Sequence, residues 1–164
     1  MKYYLSVIVM VFALFASHAP ARGQSSWDTY KPRKLQDIVK QHSDSKLIEG
    51  ENTNLIFTGD NFPSRVKVIY TGKTRKITEK RKEHIDGWVK SYGLKPEIAA
   101  MFETELLFIE DSVEYWLPVQ KQVIPYFEKE LKAGETVTLF TVWIGAKKIS
   151  AQWDWIFLVN EFEK

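Results

Sequence analysis

The sequence predicts one α+β domain, in which short amphipathic helices are interspersed with the strands of a mostly antiparallel sheet. Three observations lead to this class. Apolar residues recur at helical spacing in some segments and at strand spacing, or as β-branched and aromatic runs, in others. No internal repeat is present. The 164 residues include no cysteine, so a hydrophobic core and not disulfides must stabilise the fold.

Residues 1–23 have the three parts of a secretory signal peptide. Lys2 gives a positive start, Leu5–Ala16 is uncharged, and Ala19–Ala21 fits the small-residue pattern before a cleavage site. A membrane-spanning helix needs about 20 apolar residues, whereas a signal-peptide core needs about 7–15. We therefore expect cleavage of residues 1–23, which leaves 24–164 as a single globular domain with no membrane span.

The predicted export and the net charge limit where the protein is located and which partners it can bind. An exported chain without cysteine is more typical of the bacterial envelope than of a small disulfide-bonded ectodomain, so we expect a periplasmic or secreted protein. The chain has 23 Lys and Arg against 21 Asp and Glu, and residues 1–23 hold two of the bases, Lys2 and Arg22, and no acid. The predicted domain is thus about neutral. It lacks the strong positive charge that is typical of nucleic-acid binding.

Helical periodicity is clearest in three segments. In the segment Ile77–Tyr92, Thr78 suits the N-cap position of the predicted helix and Gly93 suits its C-terminal cap. We expect the core to include apolar residues from these helices and from the strands, among them Val66, Val68, Trp88, Phe127, Leu139 and Phe140. The predicted helices are Lys34–His42, Ile77–Tyr92 and Gln120–Lys132, with a helical turn at Pro96–Phe102.

The remaining apolar segments predict five or six strands, depending on whether a hairpin near Glu110–Ser112 divides one of them. A helix precedes the last two strands. This order suits a small, partly open barrel of the oligonucleotide- and oligosaccharide-binding (OB) kind with two to three helices. The same order of elements also suits an α+β sandwich in which the helices lie on one face of the sheet. The predicted strands are Leu55–Phe57, Arg65–Tyr70, Leu106–Leu117, Thr136–Gly145 and Gln152–Phe162.

Basic residues concentrate in residues 65–82, and acidic residues in 97–114. If one strand extends through residue 75, its odd-numbered bases share a face that suits an anionic polymer or an acidic partner. One alternative is a solvated outer face, and another is that the basic and acidic segments pair with each other. The bases on this predicted face are Arg65, Lys67, Lys73 and Arg75.

Six tryptophans are the second unusual feature. Trp153 and Trp155 share one face of the last strand, about 6.6 Å apart, and the neighbouring strand carries Trp143. Three indoles on one surface would form a platform for sugar rings or other planar ligands. The alternative is that these side chains belong to the core, as large aromatic residues usually do.

Catalytic and metal-binding patterns are missing. No G-x-S-x-G, S-x-x-K or phosphate-binding glycine loop occurs. Outside residues 1–23 the histidines are His42 and His84, which lack the close spacing of zinc ligands. Strand periodicity puts the carboxylates of Asp154 and Glu161 on opposite faces, so they do not form a catalytic pair. We therefore expect no catalytic residue set, no metal site and no cofactor.

These observations favour a binding domain over an enzyme. We expect an exported, non-catalytic domain that contacts an envelope polymer, a glycan or a partner protein through the basic strand face or the aromatic strand. One alternative is a small hydrolase that uses paired carboxylates on a cell-wall polymer. Another is an envelope assembly subunit that pairs through a strand edge.

Overall fold

The computed structural model describes residues 24–43, 54–149 and 151–164, and the expected signal peptide lies outside them. The described chain is α+β, with seven strands in one mixed sheet, three α-helices and two 3-10 helices. The strands are β1 (Lys31–Pro32), β2 (Leu55–Phe57), β3 (Ser64–Lys76), β4 (Thr104–Glu110), β5 (Val113–Val119), β6 (Thr136–Ile149) and β7 (Gln152–Glu163). The helices are α1 (Leu35–Ser43), α2 (Glu79–Ser91) and α3 (Ile124–Glu130), with 3-10 helices at Gln24–Thr29 and Pro96–Met101.

The α+β class is confirmed, but the prediction of five or six mostly antiparallel strands needs correction. Seven strands pair among the described residues, and β1–β3 and β5–β7 are parallel pairs. Two residues form β1, which is too short a strand to produce an alternating pattern. Parallel pairing of β5 with β7 depends on how α3 and β6 return the chain, and local periodicity carries no information about that. No described helix has the length and apolar character needed to cross a membrane.

Strand β3 organises the sheet because it pairs with three strands: β1 in parallel, and β6 and β4 in antiparallel orientation. Its first half is antiparallel to β6, and its second half is antiparallel to β4. The register to β4 shifts between Tyr70 and Thr74, where Gly72 has a φ of 75°. Glycine adopts this left-handed backbone without the steric cost of a side chain. The bulge therefore bends β3 at the point where it changes partner.

The contact between β5 and β7 is short. The register joins Val119 to Val159, and the amide of Gln120 donates to the carbonyl of Val159 at 3.0 Å. The full strand order is β1-β3-β4-β5-β7-β6-β2, with β3 also paired to β6. Pairing therefore runs from β3 through β4, β5, β7 and β6 back to β3. We call the β5–β7 contact the seam.

Two apolar cores lie on different sides of these strands. The larger one includes residues of α1 and α3 as well as β3–β7, with Phe127 and Leu139 fully buried. The smaller one holds α2 against β6 and β7, through Ile85 and Trp88 among others. The predicted core is confirmed, since six of six expected residues are buried: Val66, Val68, Trp88, Phe127, Leu139 and Phe140.

Candidate functional site

The four predicted β3 bases separate into two groups. Arg65 and Lys67 lie on the exposed face of the first half of β3, next to β6. They line a groove of about 660 Å³ that also contains Asp37 and Glu163. Neither base makes an ion pair within the described part of the chain. Because the groove contains acids as well as bases, its charge is mixed.

The other two bases, Lys73 at the bulge and Arg75 after it, differ in exposure and contacts from Arg65 and Lys67. Lys73 is exposed at the bulge. The Nε of Arg75 donates to Glu105 at 2.6 Å, and its guanidinium lies 4.2 Å from the ring centroid of Trp116. The strand is continuous, as the predicted basic face requires, but Arg65 and Lys67 line a groove next to α1, whereas Arg75 lines a pocket next to α2. Arg75 is thus both an ion-pair partner and an aromatic-stacked cation.

Arg81 is the centre of this second group. Thr78 caps α2 and accepts a hydrogen bond from the amide of Arg81, which fixes the first turn of the helix beside the seam. The guanidinium donates to Asp154 (Nε to Oδ2, 2.8 Å), to Glu105 and to the backbone carbonyl of Trp116. Arg81 therefore bridges β4, β5 and β7 where β5 and β7 diverge. We call Arg75, Arg81, Glu105, Trp116 and Asp154 the charged cluster.

Burial makes these ion pairs obligatory. The side chain of Glu105 is 0 % exposed and that of Arg81 is 13 % exposed. Burial acts to lower the pKa of Arg81, but hydrogen bonds and charge from Asp154 and Glu105 outweigh it and raise the pKa above its ordinary value. A buried carboxylate without a cation is strongly destabilising. The network therefore holds the positions of Arg75 and Trp116 at the surface.

A pocket of about 320 Å³ opens beside the charged cluster. Arg75, Arg81 and Asp154 line it together with Trp153 and Gln152. One residue of the predicted basic face and one of the predicted aromatic strand thus meet here. The sequence pattern did not mark Trp116 as a site residue and did not join Arg81 to a particular carboxylate. The possibility that segments 65–82 and 97–114 pair is confirmed by the bonds of Glu105 to both arginines.

The three predicted platform tryptophans do not share a surface. Trp143 is 1 % exposed, and its indole Nε1 donates to the carbonyl of Gly145 at 2.7 Å. The ring of Trp155 packs on that of Trp143 with centroids 5.6 Å apart, while Trp153 lines the pocket beside the charged cluster. Trp143 and Trp155 therefore follow the core alternative, and of the three predicted platform tryptophans Trp153 alone lies beside the charged cluster.

The carboxylates and histidines that the sequence singled out fall into no catalytic arrangement within the described residues. Asp154 and Glu161 line different cavities, in agreement with the expected separation. Burial lowers the pKa of His84 to about 4. No group of three or more His, Asp or Glu residues suited to a metal ion occurs in the described ranges.

Comparison with known proteins adds no assignment. The chain matches none of the protein-family models, curated proteins or solved structures with which we compared it. The function is therefore inferred from site geometry. The charged cluster is the best-defined site, because Arg81 and Arg75 hold both of its carboxylates through direct hydrogen bonds.

Proposed function

We propose that this protein is an exported, non-catalytic binding domain that takes an anionic envelope polymer on the surface around Arg75, Trp116 and Trp153. The observation that carries the proposal is a surplus of positive charge. Both carboxylates of the charged cluster are bound internally by Arg81 and Arg75. The neighbouring lysines make no ion pair within the described residues and are exposed: Lys73 and Lys76 on β3, and Lys80 and Lys82 at the start of α2.

The strand pairing supports an OB-like barrel as the framework. In that architecture five strands close partly on themselves, and a helix lies between the third and fourth. Five strands here pair in the order β3-β4-β5-β7-β6, and β6 pairs again with β3. Strand β5 is parallel to β7, and α3 lies between β5 and β6 in the chain. Ligands of OB barrels bind on the second and third strands and on the loops after the first and fourth. The charged cluster draws Glu105, Trp116, Arg81 and Asp154 from those elements or from positions next to them.

The chemistry of the cluster supports binding rather than catalysis. Both oxygens of Asp154 accept hydrogen bonds from Arg81. The two oxygens of Glu105 accept from Arg81 and Arg75. A glycosidase needs one carboxyl as a proton donor and another as nucleophile or base. Carboxylates that are committed to arginine are not free for either role, whereas a stacked cation beside two indoles suits ring-containing anionic ligands.

Export is part of the proposal and has its own test. The uncharged Leu5–Ala16 segment and the small residues after it support removal of residues 1–23. Intact-mass measurement of the protein recovered outside the cytoplasm is expected to give a chain that begins near residue 22 or 24. A mass that retains Leu5–Ala16 would contradict the export assignment.

Binding is tested with two polyanions and two matched charge variants. The purified protein is titrated with polygalacturonate, with polyphosphate, and with neutral dextran as the polymer control. Changing Lys73, Lys76 and Lys80 to Glu removes the surplus charge near the cluster, and we expect affinity for at least one polyanion to fall about tenfold or more. The control variant changes Lys40, Lys90 and Lys129 to Glu, which alters net charge equally at other exposed positions.

The salt dependence is measured alongside. Binding that releases counterions weakens steeply as salt rises from about 50 to 200 mM. We expect the wild type to show this slope and the cluster variant to show a smaller one. Equal affinities of the two variants would refute the proposed surface, and no binding of either polyanion by the wild type would refute the anionic ligand.

A further inference from the structure

A second cavity lies at the opposite end of the seam, and its chemistry differs from that of the charged cluster. It has a volume of about 620 Å³, within the range of about 300–1,000 Å³ that small-molecule sites occupy. It combines aromatic rings with side-chain amides. We call it the aromatic cleft, and the lining residues that matter here are Trp27, Tyr30, Gln120, Tyr126, Asn160 and Glu161.

A chain of neutral hydrogen bonds crosses one side of the cleft. The amide of Gln120 donates to Asn160 Oδ1 at 3.1 Å, and Asn160 Nδ2 donates to the hydroxyl of Tyr30 at 2.9 Å. Each amide nitrogen carries a second N–H, and the Tyr30 hydroxyl carries its own proton. Burial raises the pKa of Tyr30, and the hydrogen bond from Asn160 offsets only part of this. The phenol is therefore neutral at ordinary pH and able to donate.

The aromatic side of the cleft is held in position by the core. The rings of Trp27 and Tyr30 have centroids 5.3 Å apart, and both pack edge-on against Phe140 at 4.9 and 5.5 Å. Tyr126, on α3, lines the same cleft and is 47 % exposed. Amphipathic rings of this kind pack against an apolar face while their polar edges stay hydrogen-bonded. A pyranose ring presents such a combination, with C–H groups on its faces and hydroxyls at its rim.

Charge limits the ligand further. The charged side chains that line the cleft are Glu130 and Glu161, and neither Lys nor Arg lines it. An anionic group entering here would be repelled by like charge, whereas carboxylates accept hydrogen bonds from sugar hydroxyls, amides and amines. We infer that the aromatic cleft binds a saccharide without negative charge, a neutral or amino-bearing pyranose. This inference is independent of the polyanion surface at the other end of β7.

The test uses neutral and amino sugars of defined length. The purified protein is titrated with cello-oligosaccharides, with oligomers of N-acetylglucosamine and with oligomers of glucosamine, by calorimetry and by tryptophan fluorescence. We expect saturable binding of at least one series, with a change in emission because Trp27 lines the cleft. The affinity for a neutral sugar is expected to change less than twofold between low and physiological salt, whereas the affinity of the surface around Arg75 for a polyanion is expected to fall steeply.

Two exposed tyrosines provide a matched pair of variants. Tyr126 lies in the cleft and Tyr92 is the C-cap residue of α2, with 47 % and 44 % of their surfaces exposed, so neither substitution removes a buried core residue. We expect Tyr126→Ala to weaken saccharide binding about tenfold or more, and Tyr92→Ala to leave it unchanged. Thermal unfolding of both variants checks that they fold. Equal binding by the two variants would overturn the inference, as would absence of saturable binding by the wild type in all three series.

Discussion

The two ends of the β5–β7 seam carry polar networks of opposite chemistry. At one end the guanidinium of Arg81 joins the backbone carbonyl of Trp116 on β5 to the carboxylate of Asp154 on β7. At the other end Gln120, just after β5, is bonded to Asn160 on β7 through neutral amides. Between them the strands meet at Val119 and Val159. Each network bridges two strands whose own ladder is short.

The two networks differ in the free energy that is lost when one of their hydrogen-bonding partners is removed. The charged cluster contains a carboxylate, Glu105, that is fully buried and paired with two arginines, so removal of either arginine leaves its charge only partly compensated. The residues of the neutral end, Tyr30, Gln120 and Asn160, are only partly buried. Water or a ligand hydroxyl can replace a lost hydrogen bond there at small cost. The charged end therefore stabilises the fold, while the neutral end remains free to exchange its bonds with a ligand.

Removal of the cation is expected to have the largest effect. Arg81→Met leaves Glu105 buried with Arg75 as its remaining cation, and we expect the free energy of unfolding to fall by about 3–5 kcal/mol. Urea denaturation of the wild type and the variant measures this. The double variant Arg81→Met with Glu105→Met is expected to recover much of the loss, because it removes the buried charge as well. A loss below about 1 kcal/mol in the single variant would show that the cluster does not stabilise the seam.

Acid is expected to weaken the charged end next. His84 lies on α2, one turn after Arg81, and is 1 % exposed. Burial lowers its pKa to about 4; the backbone of Ile144 and the charge of Asp154 oppose this, and Lys147 adds to it. The unfolded chain, with an ordinary histidine pKa of about 6.5, therefore binds the proton first as pH falls.

The contribution of neutral His84 to the free energy of unfolding is therefore fully present above about pH 6.5. It is lost as the pH falls toward 4, which lowers the free energy of unfolding by about 3 kcal/mol in total. Urea midpoints measured from pH 7.5 to 4 follow the change. The control is His84→Gln, which does not titrate and is expected to show a flatter profile over this range. Identical pH profiles of the two proteins would contradict the role of His84.

Damage to the neutral end is expected to cost less. Asn160→Leu removes the partner of both Tyr30 and Gln120, and we expect a loss of about 1–2 kcal/mol, as for one or two partly buried hydrogen bonds. Thermal or urea unfolding measures it. Gln122→Leu is the control, since Gln122 lines the same cleft and is exposed, and it is expected to change stability by less than about 0.5 kcal/mol. If Asn160→Leu costs as much as Arg81→Met, the proposed contrast between the two ends is wrong.

The exposed bases of β3 are expected to matter least for folding. Arg65 and Lys67 make no ion pair in the described chain, so changing both to Glu is expected to alter the free energy of unfolding by less than about 0.5 kcal/mol. Arg75→Glu provides the contrast, because it places a carboxylate beside buried Glu105 and is expected to destabilise clearly more. Equal effects of the two changes would mean that the ion-paired and unpaired bases of β3 do not differ in their contribution to folding.

Much of the local structure was predictable from the sequence, because its causes act over a few residues. Thr78 caps α2 as expected, since its side chain needs only the amide of Arg81 three residues later. The turn near Glu110–Ser112 forms the β4–β5 hairpin, with positive φ at Asp111 and Ser112. The alternation of buried and exposed residues in the first half of β3 follows the period of two in its sequence.

The candidate sites were predictable only in part, because their partners are far apart in the chain. Arg81 meets Glu105 across 24 positions and Asp154 across 73, so their contact depends on strand order and register rather than on local pattern. The bases that alternation puts on one face of β3 line two different cavities, because β3 pairs with β6 in its first half and with β4 in its second. Packing assigned Trp143 to the core, although its position in the sequence also allowed a place on a surface platform. By itself, then, the sequence determined the lengths, faces and ends of most elements, because those follow from short-range sterics and hydrophobic periodicity. The tertiary structure alone decided which charges pair, which aromatics are buried and where cavities open, because these depend on contacts between distant segments.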